Sequence, residues 1–148
     1  MAQEASEMAE FAGLKHGEFC WTEIASSDAA KCKAFYSTVF GWTFKESSAS
    51  SGEMEYHEYT TGGDYPAGGL YELKPGMFGE GVPIPPPHFM TYIAVDDVDD
   101  YANKAAELGG TVMMPPTDIP NTGRFAIIQD PTGAAFSIFK MAEGGQNG

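Results

Sequence analysis

The sequence predicts an α+β fold of two βαβββ modules, forming a curved mixed sheet around a cavity with the helices outside. Three observations predict it. The stretch from Glu18 to Phe44 reads as strand, tight loop, amphipathic helix and strand. The same order returns from His88 onward. The two copies keep one constant spacing, so that Ile24 matches Ile93, Ala25 matches Ala94, Asp28 matches Asp97 and Gly41 matches Gly110. One such half cannot bury both faces of its sheet alone, which is why the repeat matters for architecture.

In the first module, residues 17–24 are β-prone. Phe19, Trp21 and Glu23 alternate to one face against Glu18, Cys20, Thr22 and Ile24 on the other. Ser26, Ser27 and Asp28 offer helix N-caps, because their side-chain oxygens can accept the free amides of a first turn. Ala34, Phe35 and Val39, with Cys32, form an apolar stripe expected to face inward. Gly41 fits a left-handed cap. Trp42 to Phe44 resumes as a strand, residues 45–53 read as a polar hairpin loop, and Met54 to Thr60 reads as the next strand. Residues 66–73 form a short strand interrupted by Gly68-Gly69, a pattern that marks a bulge or a place where another group approaches the backbone.

Residues 74–87 hold five prolines and three glycines and read as a connector. The second module follows. His88 to Val95 is a strand, and Asp96 or Asp97 caps a helix through Leu108. Val98, Tyr101, Ala105 and Leu108 are expected inward. Thr111 to Met114 is a strand, residues 115–122 a loop, Gly123 to Gln129 a strand, residues 130–133 a turn and Ala134 to Lys140 the last strand. The expected division is therefore an extension at 1–16, modules at 17–73 and 88–140 around the connector at 74–87, and a tail at 141–148.

The chain has 148 residues and a net charge of −13. That charge repels phosphate backbones and anionic membranes, and it attracts cations at long range. No nucleic acid or membrane partner is expected. No apolar run approaches the roughly 20 residues that span a bilayer. The first residues lack the charged and apolar regions of a signal peptide, so a cytoplasmic location is expected. Cys20 and Cys32 fit no zinc or redox spacing and are expected as reduced thiols. The three histidines, His16, His57 and His88, assemble no recognisable triad; His57 reads as a surface cross-strand partner of its acidic neighbours, and His88 has the best claim to the cavity.

The segments SSDAAKCKAFYSTVFGW, YIAVDDVDDYANKAAELGGTV and GRFAIIQDPTGAAFSIFK resemble the vicinal oxygen chelate superfamily, which holds glyoxalase I, bleomycin-resistance proteins and extradiol dioxygenases. The resemblance covers roughly residues 17 to 140. It implies the paired βαβββ architecture. In metal-dependent members it also implies one ligand on the first strand and one on the last strand of each module, positions that fall here on Trp21, Gly68, Met90 and Ser137. Those four offer an indole donor, no side chain, a soft thioether and a hydroxyl, which do not form a divalent-metal set. Glu23 and His88 are the residues nearest to supplying a donor by a shift of two along their strands. No metal and no other cofactor is expected.

The residues expected to line the ligand site are Phe19, Trp21, Glu23, His88, Met90, Tyr92 and Ser137. Aromatic walls with a few polar groups suit a small organic molecule, cationic or aromatic given the acidic chain. The leading expectation is a metal-independent small-molecule binding protein. A metal-dependent lyase, isomerase or dioxygenase of the glyoxalase type, and a structural module with a filled core, are the alternatives. The family resemblance also implies a homodimer.

Overall fold

The computed structural model describes residues 15–47 and 55–142, so the expected extension and tail lie largely outside the described residues. The fold is α+β, with the helices and strands in the predicted order. The first module contributes β1 (Phe19–Ser26), α1 (Ala29–Phe40), β2 (Thr43–Glu46), β3 (Tyr56–Thr60) and β4 (Gly68–Glu72). The second contributes β5 (His88–Ala94), α2 (Val98–Glu107), β6 (Thr111–Ile119), β7 (Gly123–Gln129) and β8 (Ala135–Met141). The chain divides into two compact units, Thr22–Met90 and a second made of Met1–Trp21 with Thr91–Gly148.

Both modules use one topology. The first has strand order β2-β3-β4-β1 and the second has β6-β7-β8-β5. In each, the last strand runs parallel to the first and the other pairs are antiparallel. A parallel return needs a crossover, and the helix supplies the start of it.

The caps explain the helix boundaries. Asp28 accepts from the Lys31 amide and Asp97 from the Asp100 amide, so the matching aspartates of the repeat do the same work. The Glu72 carboxylate on β4 takes the Ala29 amide at 2.9 Å, which ties the first turn of α1 to the sheet. Gly41 closes α1 at φ 75°, a left-handed conformation in which a side chain would be strained.

Each unit has its own core. In the second module, Val95, Val98, Ala102, Ala126, Ile128 and Ile138 pack together, with Tyr101, Ala105, Val112 and Phe136 around them. In the first, Ile24, Tyr59 and Leu70 form the centre, with Ala29, Cys32, Tyr36, Trp42 and Phe44 against it. Trp42 stacks on Tyr59 at 4.6 Å and Tyr36 stacks on Trp42 at 5.1 Å.

Four expectations are corrected. The inward stripe of α1 is Cys32 and Tyr36, whereas Ala34, Phe35 and Val39 face solvent. Leu108 lies past the end of α2 and is exposed, while Ala102 takes an inward place beside Val98. Residues 115–119 continue β6 as a strand despite two prolines. β6 is an edge strand of its unit, and its pairing with β7 shifts register between Val112 and Thr117, the setting in which proline is tolerated. His57 is buried rather than on the surface, with its Nε2 3.8 Å from Glu55 Oε2, because β3 is buried on both faces.

Candidate functional site

The Gly68-Gly69 pair on β4 creates the local geometry in the first module. β4 lies between β1 and β3, with Thr22 opposite Gly68 and Glu23 opposite Gly69. On the other side, Tyr59 stands opposite Gly68 and Glu58 opposite Gly69. A methyl group on Gly68 would collide with the Thr22 carbonyl oxygen and lie 2.6 Å from the Tyr59 hydroxyl. A methyl group on Gly69 would collide with the Tyr56 hydroxyl and ring. The two glycines therefore leave a track on each face of β4, and one tyrosine from β3 crosses each track to reach β1.

Tyr59 crosses on the face that α1 covers and donates to the Thr22 carbonyl at 2.7 Å. Tyr56 crosses on the opposite face and donates to Glu23 Oε2 at 2.7 Å. That second bond is charge-assisted and fixes the Glu23 carboxylate over β1. Glu58, in register with Glu23 across Gly69, shares this face. It is only 5% exposed, and its Oε2 accepts from the Ser47 hydroxyl at 2.9 Å. Lys45 is the cross-strand neighbour of Glu58 on β2, and Tyr71 the neighbour of Tyr56 on β4. The helix-free face of the first module thus carries two carboxylates, two tyrosines and a lysine.

The electrostatics agree. Burial, with the Glu23 charge as a further cause, pushes the Tyr71 phenol up to about 12. Burial also pushes Tyr59 up to about 12, helped by Tyr36 and Glu23. In the other unit, burial pushes the Cys20 thiol up to about 11; its sulfur lies 3.6 Å from the Tyr92 carbonyl. All three groups are held neutral by the fold. Their stabilisation is complete below their ordinary values of 9.0 for the thiol and 10.0 for the phenols, and it is lost as pH rises through the folded values. Stability is accordingly expected to fall between pH 9 and about 12. Denaturant melts at stepped pH should show a shallower fall for Cys20→Ser and for Tyr71→Phe, each of which removes one of the titrating groups.

The second unit presents a different surface. Tyr92 on β5 is in register with Ser137 on β8, and Ser137 with Ile127 on β7. Tyr92 is flanked by Phe125 at 6.4 Å and Phe139 at 6.2 Å. Ser137 is fully buried, and its hydroxyl has no hydrogen-bond partner among the described residues. A ligand reaches that oxygen only after the surrounding side chains move.

The other expected site residues distribute as follows. Phe19 is exposed, Trp21 and Glu23 are half-buried, and all three alternate to one side of β1. Met90 is half-buried on β5. His88 Nδ1 lies 2.8 Å from the Pro86 carbonyl, and the ring borders a shallow groove with Ile24 of β1 and with Cys32 and Tyr36 of α1. The sequence reading missed Tyr56, Glu58, Tyr71 and Ser47. The Gly68-Gly69 signal pointed to their location without naming them.

The four metal positions offer little donor chemistry. Gly69, rather than Gly68, shares the Glu23 face, and neither has a side chain. With Trp21, Met90 and Ser137 at the other positions, the set does not fit a divalent ion. Among the described residues no group of three His, Cys, Asp or Glu side chains is placed to hold a metal. No helix among them is long and apolar enough to cross a membrane.

The sequence model of the Glyoxalase/Bleomycin resistance protein/Dioxygenase superfamily matches residues 19–138. "Putative glyoxylase CFP32" of Mycobacterium tuberculosis is 38% identical over 120 residues, 81% of this chain and 44% of that protein. "Anthracycline biosynthesis protein DnrV" of Streptomyces peucetius is 29% identical over 138 residues, 84% of this chain and 47% of that protein. The chain therefore spans less than half the length of the curated relatives it matches. Among solved structures, a Streptomyces coelicolor methylmalonyl-CoA epimerase in complex with 2-nitronate-propionyl-CoA aligns with TM-score 0.61 at 17% identity, covering 86% of this chain and 99% of that one. A protein of Bacillus halodurans, BH1468, aligns with TM-score 0.63 at 14% identity, covering 87% and 97%. At these identities the structures show the fold alone.

Proposed function

Because the chain belongs to the Glyoxalase/Bleomycin resistance protein/Dioxygenase superfamily, we propose that it binds a small organic molecule on the helix-free face of its first module, without a metal. The observation that carries this reading is the Tyr56–Glu23 hydrogen bond across Gly69. It holds a half-buried carboxylate at a fixed place, among phenol rings, on the face opposite the one that α1 covers. Glu23 is the primary contact. Tyr56 orients it, and Tyr71 supplies an aromatic wall beside it.

The favoured ligand is an aromatic or heterocyclic amine. Glu23 and Glu58 give the face a negative field that a cation offsets, and phenol faces attract ammonium groups by about 0.5–1 kcal/mol at exposed sites and more when desolvated. The net charge of −13 draws such a ligand from a distance. An anionic substrate such as an acyl-CoA would meet the same field as a penalty.

Metal independence is tested by elemental analysis of the purified chain after exhaustive dialysis. The expected result is less than about one-tenth of an equivalent of any transition metal, since catalytic sites of this kind need three protein ligands. A stoichiometric divalent ion that survives dialysis overturns the proposal of metal independence.

A further inference from the structure

The groove that His88 borders runs beside the first two turns of α1. Ile24, which is buried, closes its bottom. Alternation along β1 turns Ile24 and Glu23 to opposite faces, so the groove is separate from the face that carries Glu23. Its volume is about 470 Å³, in the range of small-molecule sites. One wall is the flank of α1 that carries Lys31 and Phe35, one turn apart; the other is His88 and Phe89, where the connector enters β5.

The rings in the groove point to an aromatic occupant. Phe35 is 56% exposed and Phe89 is 53% exposed. Tyr36 stands edge-on to both, 5.1 Å from Phe35 and 6.2 Å from Phe89. A further ring laid against these three gains the edge and offset contacts that aromatic pairs prefer, about 0.5–1.5 kcal/mol per pair beyond the area it buries.

His88 adds direction. Its Nδ1 lies 2.8 Å from the Pro86 carbonyl, and a carbonyl only accepts, so Nδ1 carries the proton. In the neutral ring Nε2 is then an acceptor, and nothing among the described residues donates to it. Charge narrows the class further. Asp28 and Lys31 both border the groove with opposite signs, and Asp28 Oδ1 accepts from the Lys31 amide at 3.1 Å. The groove therefore has no excess of one sign with which to hold an ion, and the net charge of −13 disfavours an anion at long range. An uncharged ring with one hydroxyl donor matches the walls and the acceptor together.

We propose that this groove binds an uncharged phenol, its ring against Phe35, Tyr36 and Phe89 and its hydroxyl donating to His88 Nε2. This second site stands whether or not the Glu23 face binds an amine.

NMR titration of the full chain with 4-methylphenol at mildly alkaline pH tests it. Saturable shifts at Phe35, Tyr36, His88 and Phe89 are expected, with a Kd of about 1 mM for so small a ligand. The methyl ether 4-methylanisole keeps the ring and lacks the donor, and should bind about fivefold more weakly, the worth of one neutral hydrogen bond. His88→Phe keeps a ring at the half-exposed start of β5 and removes the acceptor, so the two probes should bind it equally. Phe35→Ala, at an exposed position, should weaken both probes by the same factor with the melting temperature unchanged. No saturable shift at these residues in the millimolar range, or shifts confined to Glu23, Tyr56 and Tyr71, would overturn the proposal. Equal affinity of the wild-type chain for the two probes, or a preference for the phenol that survives in His88→Phe, would do the same.

Discussion

Gly68→Ala is expected to destabilise the fold by about 3 kcal/mol or more, at the upper end for overpacking. The reason is what the new methyl group meets. It is directed at the Thr22 carbonyl oxygen, which is backbone, and at the Tyr59 hydroxyl that the same carbonyl accepts from. A flexible side chain could swing aside, but β1 and β4 are paired at this point and would have to separate. Separation also breaks the Tyr59 bond and loosens the Tyr59–Trp42 stack in the core. At roughly 2–4 °C per kcal/mol for a chain of this size, the melting temperature should drop by about 10 °C. Gly69→Ala should cost less, because its methyl group meets only the Tyr56 side chain. Its signature is different: the fold persists, and Tyr56 leaves Glu23. A thermal melt of the two variants side by side separates these outcomes. Equal losses would show that the tracks across β4 are not two independent devices.

The second large effect concerns Glu23. Glu23→Gln keeps the size and a hydrogen-bond acceptor for Tyr56 but removes the charge. Stability should change by less than about 1 kcal/mol, because a half-exposed carboxylate is not a core residue. Amine binding should weaken by at least tenfold, about 1.4 kcal/mol, if the carboxylate pairs with the ligand's ammonium. Tyr56→Phe should weaken binding by a smaller factor, because the charge remains while its orientation is lost. Isothermal titration with one aromatic amine across the three proteins reads this order. Unchanged affinity in Glu23→Gln would remove Glu23 from the site.

Much of the fold was legible because the sequence states it twice. Asp28 and Asp97 both cap helices, at the spacing that the repeat predicted. Each module also pairs its first and last strands in parallel, although the registers, Thr22 opposite Gly68 and Tyr92 opposite Ser137, differ by one residue from the repeat spacing. The misread face of α1 has a physical cause. Phe35 and Val39 are four residues apart, and so are Cys32 and Tyr36. Periodicity identifies an apolar stripe, but only the sheet decides which of two stripes it takes. The sheet took the pair that stacks on Trp42 and the Tyr59 core. The proline pair at 115 and 116 misled for a similar reason, since proline excludes a central strand and not an edge one.

The candidate site was half legible. Glu23 was found from alternation along β1, and the glycine pair announced that something approaches the backbone there. That the approaching groups are Tyr56 and Tyr59 depends on the β3–β4 register, in which Tyr56 pairs with Tyr71 and Tyr59 with Gly68. A hairpin loop of unpatterned polar residues precedes β3, and nothing in it fixes that register. Glu58 drew no reading of its own for the same reason. Its burial follows from β3 being an inner strand, which pairing order reveals and local sequence does not.

The most direct test of the ligand site is a backbone-amide NMR titration of the metal-free chain with matched aromatic amines and aromatic carboxylates. The amines should shift the resonances of Glu23, Tyr56, Glu58, Gly69 and Tyr71 together, saturably, and the carboxylates should not. Shifts that require an added divalent ion, or carboxylates that bind this face as well as the amines do, would contradict it.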